Sequence, residues 1–202
     1  MKRRLLLSGL LAAPLVARAG AQVEEPLADS MRSALSASIV QSAPPRPQFE
    51  ASQVNERMAY LLWLGTMSER LKKRKTETQI RIEFLETVWY EAKRAGLEPS
   101  LVLGLVQVES GFRKYAISIA GARGYMQVMP FWAKLIGDGD SARLFHMQSN
   151  LRFGCVILRH YLDREKGDMY MALGRYNGSR GKPEYPNMVF AARRQWLLPG
   201  EK

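Results

Sequence analysis

The chain has 202 residues, 47% of them hydrophobic, which is enough for one sizeable core and too apolar for wholesale disorder. Its 30 Lys and Arg outnumber 19 Asp and Glu, giving a formal net charge of +11, and its single cysteine excludes an intramolecular disulfide. Such a basic chain is drawn to polyanions, an attraction that weakens with salt.

Met1-Lys2-Arg3-Arg4, an apolar stretch from Leu5 to Val16, and Ala17-Arg18-Ala19 or Ala19-Gly20-Ala21 form the charged, apolar and small-residue regions of a secretory signal peptide, residues 1–21. The apolar stretch is too short to span a bilayer comfortably, so the sequence predicts export with cleavage and no integral membrane segment afterwards. Arg3-Arg4 also permits a twin-arginine route. Losing Lys2, Arg3, Arg4 and Arg18 leaves 26 basic against 19 acidic residues, or +7. Residues 22–48, with Pro26, Pro44, Pro45 and Pro47 among Ala and Ser, read as a flexible linker.

Two amphipathic helices follow, an amino-terminal helical part over residues 49–95. From Phe49 to Lys73 the stripe is Val54, Met58, Leu61, Leu64, Met67 and Leu71; the next is Ile80, Phe84, Val88 and Ala92, before Gly96. The densest basic cluster, Arg70-Leu71-Lys72-Lys73-Arg74-Lys75, ends the first helix, where cations suit the carboxy-terminal dipole. No aromatic interleaving marks a base-stacking platform, so nucleic acid is not the expected partner.

Glu98-Pro99 is a plausible start for the next helix, whose apolar run Leu101-Val102-Leu103-Gly104-Leu105-Val106-Gln107-Val108 ends in Glu109. Leu105 and Leu101 share the Glu109 stripe, with Val106 and Val102 beside it, so this carboxyl faces the packed side. Burial raises a carboxylate's pKa, and an acid still protonated near neutral pH is what general acid catalysis at a glycosidic oxygen requires. The competing reading of Glu109 is a structural ion-pair partner.

Ser118-Ile119-Ala120-Gly121-Ala122-Arg123-Gly124-Tyr125-Met126-Gln127-Val128-Met129-Pro130 then supplies small residues and glycines that let backbone approach closely, suiting a cleft wall. A short helix is predicted near Phe131 to Ile136 and a longer one from Asn150 to Arg164. Asp138-Gly139-Asp140 reads as a turn, since its neighbours supply too few oxygens for calcium. Cys155 sits among Leu151, Leu158 and Leu162 as a small buried hydrophobe, and His146 and His160 make no metal-ligand spacing with it, so neither metal nor cofactor is expected. Asp168 opens the next helix, which leads to Arg175-Tyr176-Asn177-Gly178, a phenol able to hydrogen-bond a carboxyl group beside an amide able to read sugar hydroxyls or acetamido groups. Asn177-Gly178-Ser179 also matches a glycosylation acceptor, but coincides with that motif. Pro186 to Leu197 reads as a final helix. With no alternating strand pattern, the chain is predicted to be mainly α.

Glu109-Ser110 after an apolar helix, Gly124-Tyr125-Met126-Gln127 with Met129-Pro130, and Arg175-Tyr176-Asn177 resemble, in order and spacing, the motifs of the bacterial soluble lytic transglycosylase type, from Ala95 to Trp196. The family usually has Leu at Tyr125 and Ala at Arg175; a tyrosine there either stacks on a sugar ring or fills the core. The resemblance implies a lysozyme-like α-helical catalytic domain, placed here at residues 96–197, in an exported, periplasmic protein acting on peptidoglycan glycan strands. It implies Glu109 as the sole catalytic carboxylate, Tyr176 as its orienting hydrogen-bond partner, and Ser118, Gln127, Met129 and Asn177 as cleft residues touching the glycan. The expected reaction cleaves the β-1,4 bond between N-acetylmuramic acid and N-acetylglucosamine and leaves a 1,6-anhydromuramic end. A lysozyme-type hydrolase would need a second carboxylate, for which Asp138, Asp140 and Asp168 are the candidates. A glycan-binding assembly factor without turnover is the other alternative, and a cell-envelope assembly or secretion complex is a conceivable partner.

Overall fold

The computed structural model describes residues 22, 47–136 and 139–201. The signal-peptide segment, the linker apart from Gln22, Pro47 and Gln48, and Asp138 lie outside the described residues. In chain order the helices are α1 (Val54–Leu71), α2 (Thr78–Arg94), α3 (Pro99–Ser110), α4 (Pro130–Ile136), α5 (Met147–Arg164), α6 (Met169–Asn177) and α7 (Glu184–Arg193). Single 3-10 turns cover Ser141–Phe145 and Arg194–Trp196. Among the described residues there are no strands, only isolated antiparallel bridges pairing Arg123 with Ile117 and with Val128. The predicted mainly α class is what the chain forms.

Helix α3 is the buried axis, because its run is apolar on every side and only Gln107 and Val108 keep appreciable exposure. Pro99 occupies its first turn, where no amide donor is needed, and Gly111 ends it at φ +58. Helix α7 lies directly across it. A Cβ on Gly104 would stand 2.7 Å from the Arg193 amide nitrogen and 2.9 Å from its Cα, so the two backbones meet where a side chain is missing.

The predicted stripe of α1 needs correction at its amino-terminal end. Met67 and Leu71 are buried, but Val54, Met58 and Leu61 are exposed, together with Leu62. Tyr60 and Trp63 face the core instead, with ring centroids 5.2 and 4.8 Å from that of Trp89 on α2. After the polar first turn, residues 58–64 of α1 are apolar on every side, and the face with the larger aromatic surface wins the contact. On α2, Phe84, Val88 and Ala92 are buried as the period requires, whereas Ile80 is exposed.

The basic cluster is more than a solvated helix end. Arg70 donates to the Gln195 and Leu197 carbonyls at 3.0 and 2.7 Å, tying α1 to the end of the chain. Lys75 donates to the Tyr125 hydroxyl at 2.6 Å and lies 4.4 Å from the centre of that ring. Burial pulls the Lys75 ammonium down to about 8, with Lys114 adding to the effect. Glu91 on α2, buried, accepts from Arg94 at 3.1 Å and from Arg152 of α5 at 2.8 Å. Cys155 is buried and free, and the burial pushes its thiol far up.

Asn150 in α5 fixes the loop that precedes α4. Fully buried, it accepts from Met126 N–H at 2.8 Å and donates to the Arg123 and Leu144 carbonyls at 2.9 and 2.8 Å. Gly124 stands against this amide at φ +76, where any Cβ would collide with Asn150 and the Leu144 carbonyl. Asn150→Asp removes both donations and buries a charge, and thermal unfolding should show a loss of about 2–5 kcal/mol. Gly104→Ala should cost about 1–3 kcal/mol by pushing α3 and α7 apart, seen in the same melts.

Candidate active site

Glu109 stands on the last turn of α3 and is 8% exposed. Its Oε1 accepts a short hydrogen bond from the Tyr185 hydroxyl. Its Oε2 is buried with no hydrogen-bond partner among the described residues. No cation pairs with it there, unlike Glu91. Desolvation therefore dominates and pushes its carboxyl up to about 8, against the opposing pull of the Tyr185 bond. Burial, together with the Glu109 charge and the bond to it, drives the Tyr185 phenol well above its usual range, so this hydroxyl stays a donor.

The phenol that hydrogen-bonds Glu109 is thus Tyr185, which the sequence reading missed. Tyr176, expected in that role, is fully buried on α6 and donates to the Met126 carbonyl at 2.7 Å. It remains close enough for the Glu109 charge to raise it, after burial as the larger cause. Tyr185 carries no motif. It lies in the first turn of α7, and only the close α3–α7 crossing at Gly104 brings it to the acid.

Ser110 links the acid's helix to the loop, donating to the Tyr125 carbonyl at 2.7 Å and to Val106 at 3.2 Å. The loop is held from within by Gln127. That residue adopts φ +48 and donates from Nε2 to the Ala116 and Gly124 carbonyls at 3.1 and 2.9 Å. Its side-chain amide is thereby committed to the loop, leaving the main chain of residues 127–129 to face the bound amide of Gln22. Ser118 closes a tight turn, its Oγ accepting from Ala122 N–H at 3.1 Å. Asn177 ends α6, donating from Nδ2 to Ser179 Oγ at 3.0 Å. Met129, half-buried, follows the loop into α4.

Tyr125 fills the core, 2% exposed and 4.9 Å from Phe84 between ring centroids, so it offers no stacking face to a sugar. Arg175 pairs with Glu165, which Arg180 also holds at 2.7 Å. Asp168 accepts from Met171 N–H at 3.0 Å and caps α6; Asp140 accepts from Ala142 N–H at 2.8 Å and caps a 3-10 turn. Both are exposed, as helix-capping roles allow.

Among curated proteins the chain is similar to "Membrane-bound lytic murein transglycosylase C" of Actinobacillus pleuropneumoniae serotype 5b, 33% identical over 154 residues, covering 63% of this chain and 42% of that protein. It is also similar to the "Transglycosylase" of Enterobacteria phage PRD1, 34% identical over 104 residues, covering 52% and 38% respectively. The chain thus spans about two fifths of the length of these relatives. A solved structure, an inactive mutant of the lytic transglycosylase Slt from Pseudomonas aeruginosa, aligns with a TM-score of 0.44 and 26% identity over 72% of this chain and 24% of that one. The profile of the "Transglycosylase SLT domain" matches residues 86–187, from the middle of α2 into α7 and across all three motifs, and the chain belongs to that family.

Proposed function

We propose that the protein is a peptidoglycan lytic transglycosylase whose one catalytic carboxylate is Glu109. The observation that carries this reading is a buried glutamate with no cation among the described residues, held by a single phenol, on the Glu-Ser motif of the family. The name of the Actinobacillus pleuropneumoniae relative, which specifies murein, points to the same substrate.

In the proposed cycle, the protonated carboxyl gives its proton to the glycosidic oxygen linking N-acetylmuramic acid to N-acetylglucosamine, and the bond to the anomeric carbon breaks. The muramic 2-acetamido carbonyl supports the positive charge that develops there. The Glu109 carboxylate then takes the proton of the C6 hydroxyl as that oxygen attacks the anomeric carbon. A 1,6-anhydro end forms, no water is consumed, and Glu109 finishes protonated, as it began. One group serves as acid and then as base, and the substrate's acetamide replaces the second carboxylate of other glycosidases. Tyr185 suits both halves, because its hydroxyl fixes the carboxyl's orientation and eases formation of the carboxylate. The described acidic candidates for a hydrolytic partner, Asp140 and Asp168, are spent on caps. The setting we propose is the periplasm, with a basic chain working on glycan strands during wall growth, recycling or the opening of a gap for an envelope assembly.

Glu109→Gln should lower release of anhydromuropeptides by about 100- to 10,000-fold while glycan pull-down persists. Mass spectrometry reads the products directly, and undiminished release would remove Glu109 from the mechanism. The raised pKa also carries a stability consequence. Because the folded-state value exceeds the unfolded one, this group favours folding fully below about 4.5 and loses that contribution as pH rises toward about 8. Glu109→Gln should therefore raise Tm at pH 8 and gain little at pH 4.

The acid must begin protonated, so kcat/KM should fall as pH rises through about 8. Tyr185→Phe removes the bond that favours the carboxylate, and should lower the rate while moving that limb upward by about one unit. A limb moving downward would contradict the assigned hydrogen bond.

A further inference from the structure

Gln22 falls within the composition of the linker, yet it is 6% exposed. Its Oε1 accepts from the Trp132 indole Nε1 at 2.8 Å and from Met129 N–H at 3.4 Å, and its Nε2 donates to the Gln127 carbonyl at 3.4 Å. The loop that these bonds reach also accepts from the Tyr176 phenol, at the Met126 carbonyl next to Gln127. The carboxamide therefore lies between the cleft loop and α4.

Trp132 is fully buried, and Gln22 supplies the one acceptor for its indole N–H among the described residues. A buried donor left without an acceptor is costly, so this point of the cleft demands a carbonyl oxygen. The Gln127 carbonyl beside it demands an N–H. A planar amide satisfies both at once, and the 2-acetamido group of an N-acetylated sugar is a planar amide with the same pair of functions.

We infer that Gln22 is a built-in competitor for the glycan, its carboxamide occupying a subsite made of Trp132 Nε1, Met129 N–H and the Gln127 carbonyl that reads a sugar's 2-acetamido group. This rests on the proposed action on N-acetylated glycan strands. While Gln22 is seated the subsite is closed, and the apparent affinity for saccharide falls by the fraction of chains in which it is open. Trp132 becomes a specificity residue that the motif reading missed, since nothing in Pro130-Phe131-Trp132 marks an indole as a hydrogen-bond donor to ligand.

The test compares the full chain with its Gln22→Ala variant, titrating each with tetra-N-acetylchitotetraose and with the same tetramer bearing free amines. Binding is followed by calorimetry and by the Trp132 indole resonance in 15N–1H spectra. The expected result is a fivefold to tenfold tighter Kd for the acetylated tetramer in Gln22→Ala, about the contribution of one or two hydrogen bonds. The deacetylated tetramer should show no such gain. The indole resonance should move on Gln22→Ala and move again when the acetylated saccharide binds. Equal Kd values in the two chains would overturn the competition, and an indole resonance indifferent to Gln22→Ala would overturn the seat itself. Failure of both chains to bind either saccharide, with the indole still responding to Gln22→Ala, would reject the competitor together with the glycan reading while leaving the seat in place.

Discussion

The structure depends on burying one carboxyl group without giving it a cation. Two glutamates are buried among the described residues, and their surroundings contrast. Glu91 is held by two guanidinium groups and links α2 to α5 as a buried ion pair. Among the described residues Glu109 meets only the Tyr185 hydroxyl, whose pull offsets desolvation in part, and the neutral form persists into the neutral pH range. Keeping such a group in place requires the surrounding backbone to be fixed by other means, and the packing of α3 supplies them. Its apolar turns, the bare backbone at Gly104 and the Ser110 bond to the loop all act to hold the last turn of that helix where a charged group would resist burial.

The loop beside the acid is similarly over-determined. Asn150 satisfies three main-chain groups from below, while Gln127, in a left-handed conformation unusual for a residue with a side chain, satisfies two more from within. Residues expected to contact ligand through their side chains are therefore partly structural. The Gln127 amide shapes the loop so that its main chain is presented outward, a division of labour between side chain and backbone that residue type alone does not disclose.

Much of the helical framework was legible because its signals are local. Pro99 at the head of α3, Asp168 capping α6, Gly96 after the end of α2, and the apolar period of α2 from Phe84 onward are all decided within a few residues of chain. The burial of Glu109 was legible for a related reason, since a charge closing an apolar helix has to be explained locally. What escaped depends on contacts far apart in sequence. Tyr185 reaches Glu109 across 76 positions and Gln22 reaches Trp132 across 110, and no periodicity encodes either meeting. The stripe of α1 failed differently, because Val54, Met58 and Leu61 are as apolar as the residues that won the core, and only the bulk of Trp63 and Trp89 settles which side turns inward.

Cys155 lends the molecule a property unrelated to catalysis. Its thiol is sealed in the middle of α5 and kept protonated, so an oxidant in the surrounding medium meets no thiolate while the chain is folded. Reaction requires α5 to leave the core, which makes the rate of thiol modification a clock for large-scale opening rather than for surface chemistry. In an oxidising medium a chain with one such thiol must complete its core before it meets another unfolded copy, since intermolecular crosslinking is the only disulfide open to it.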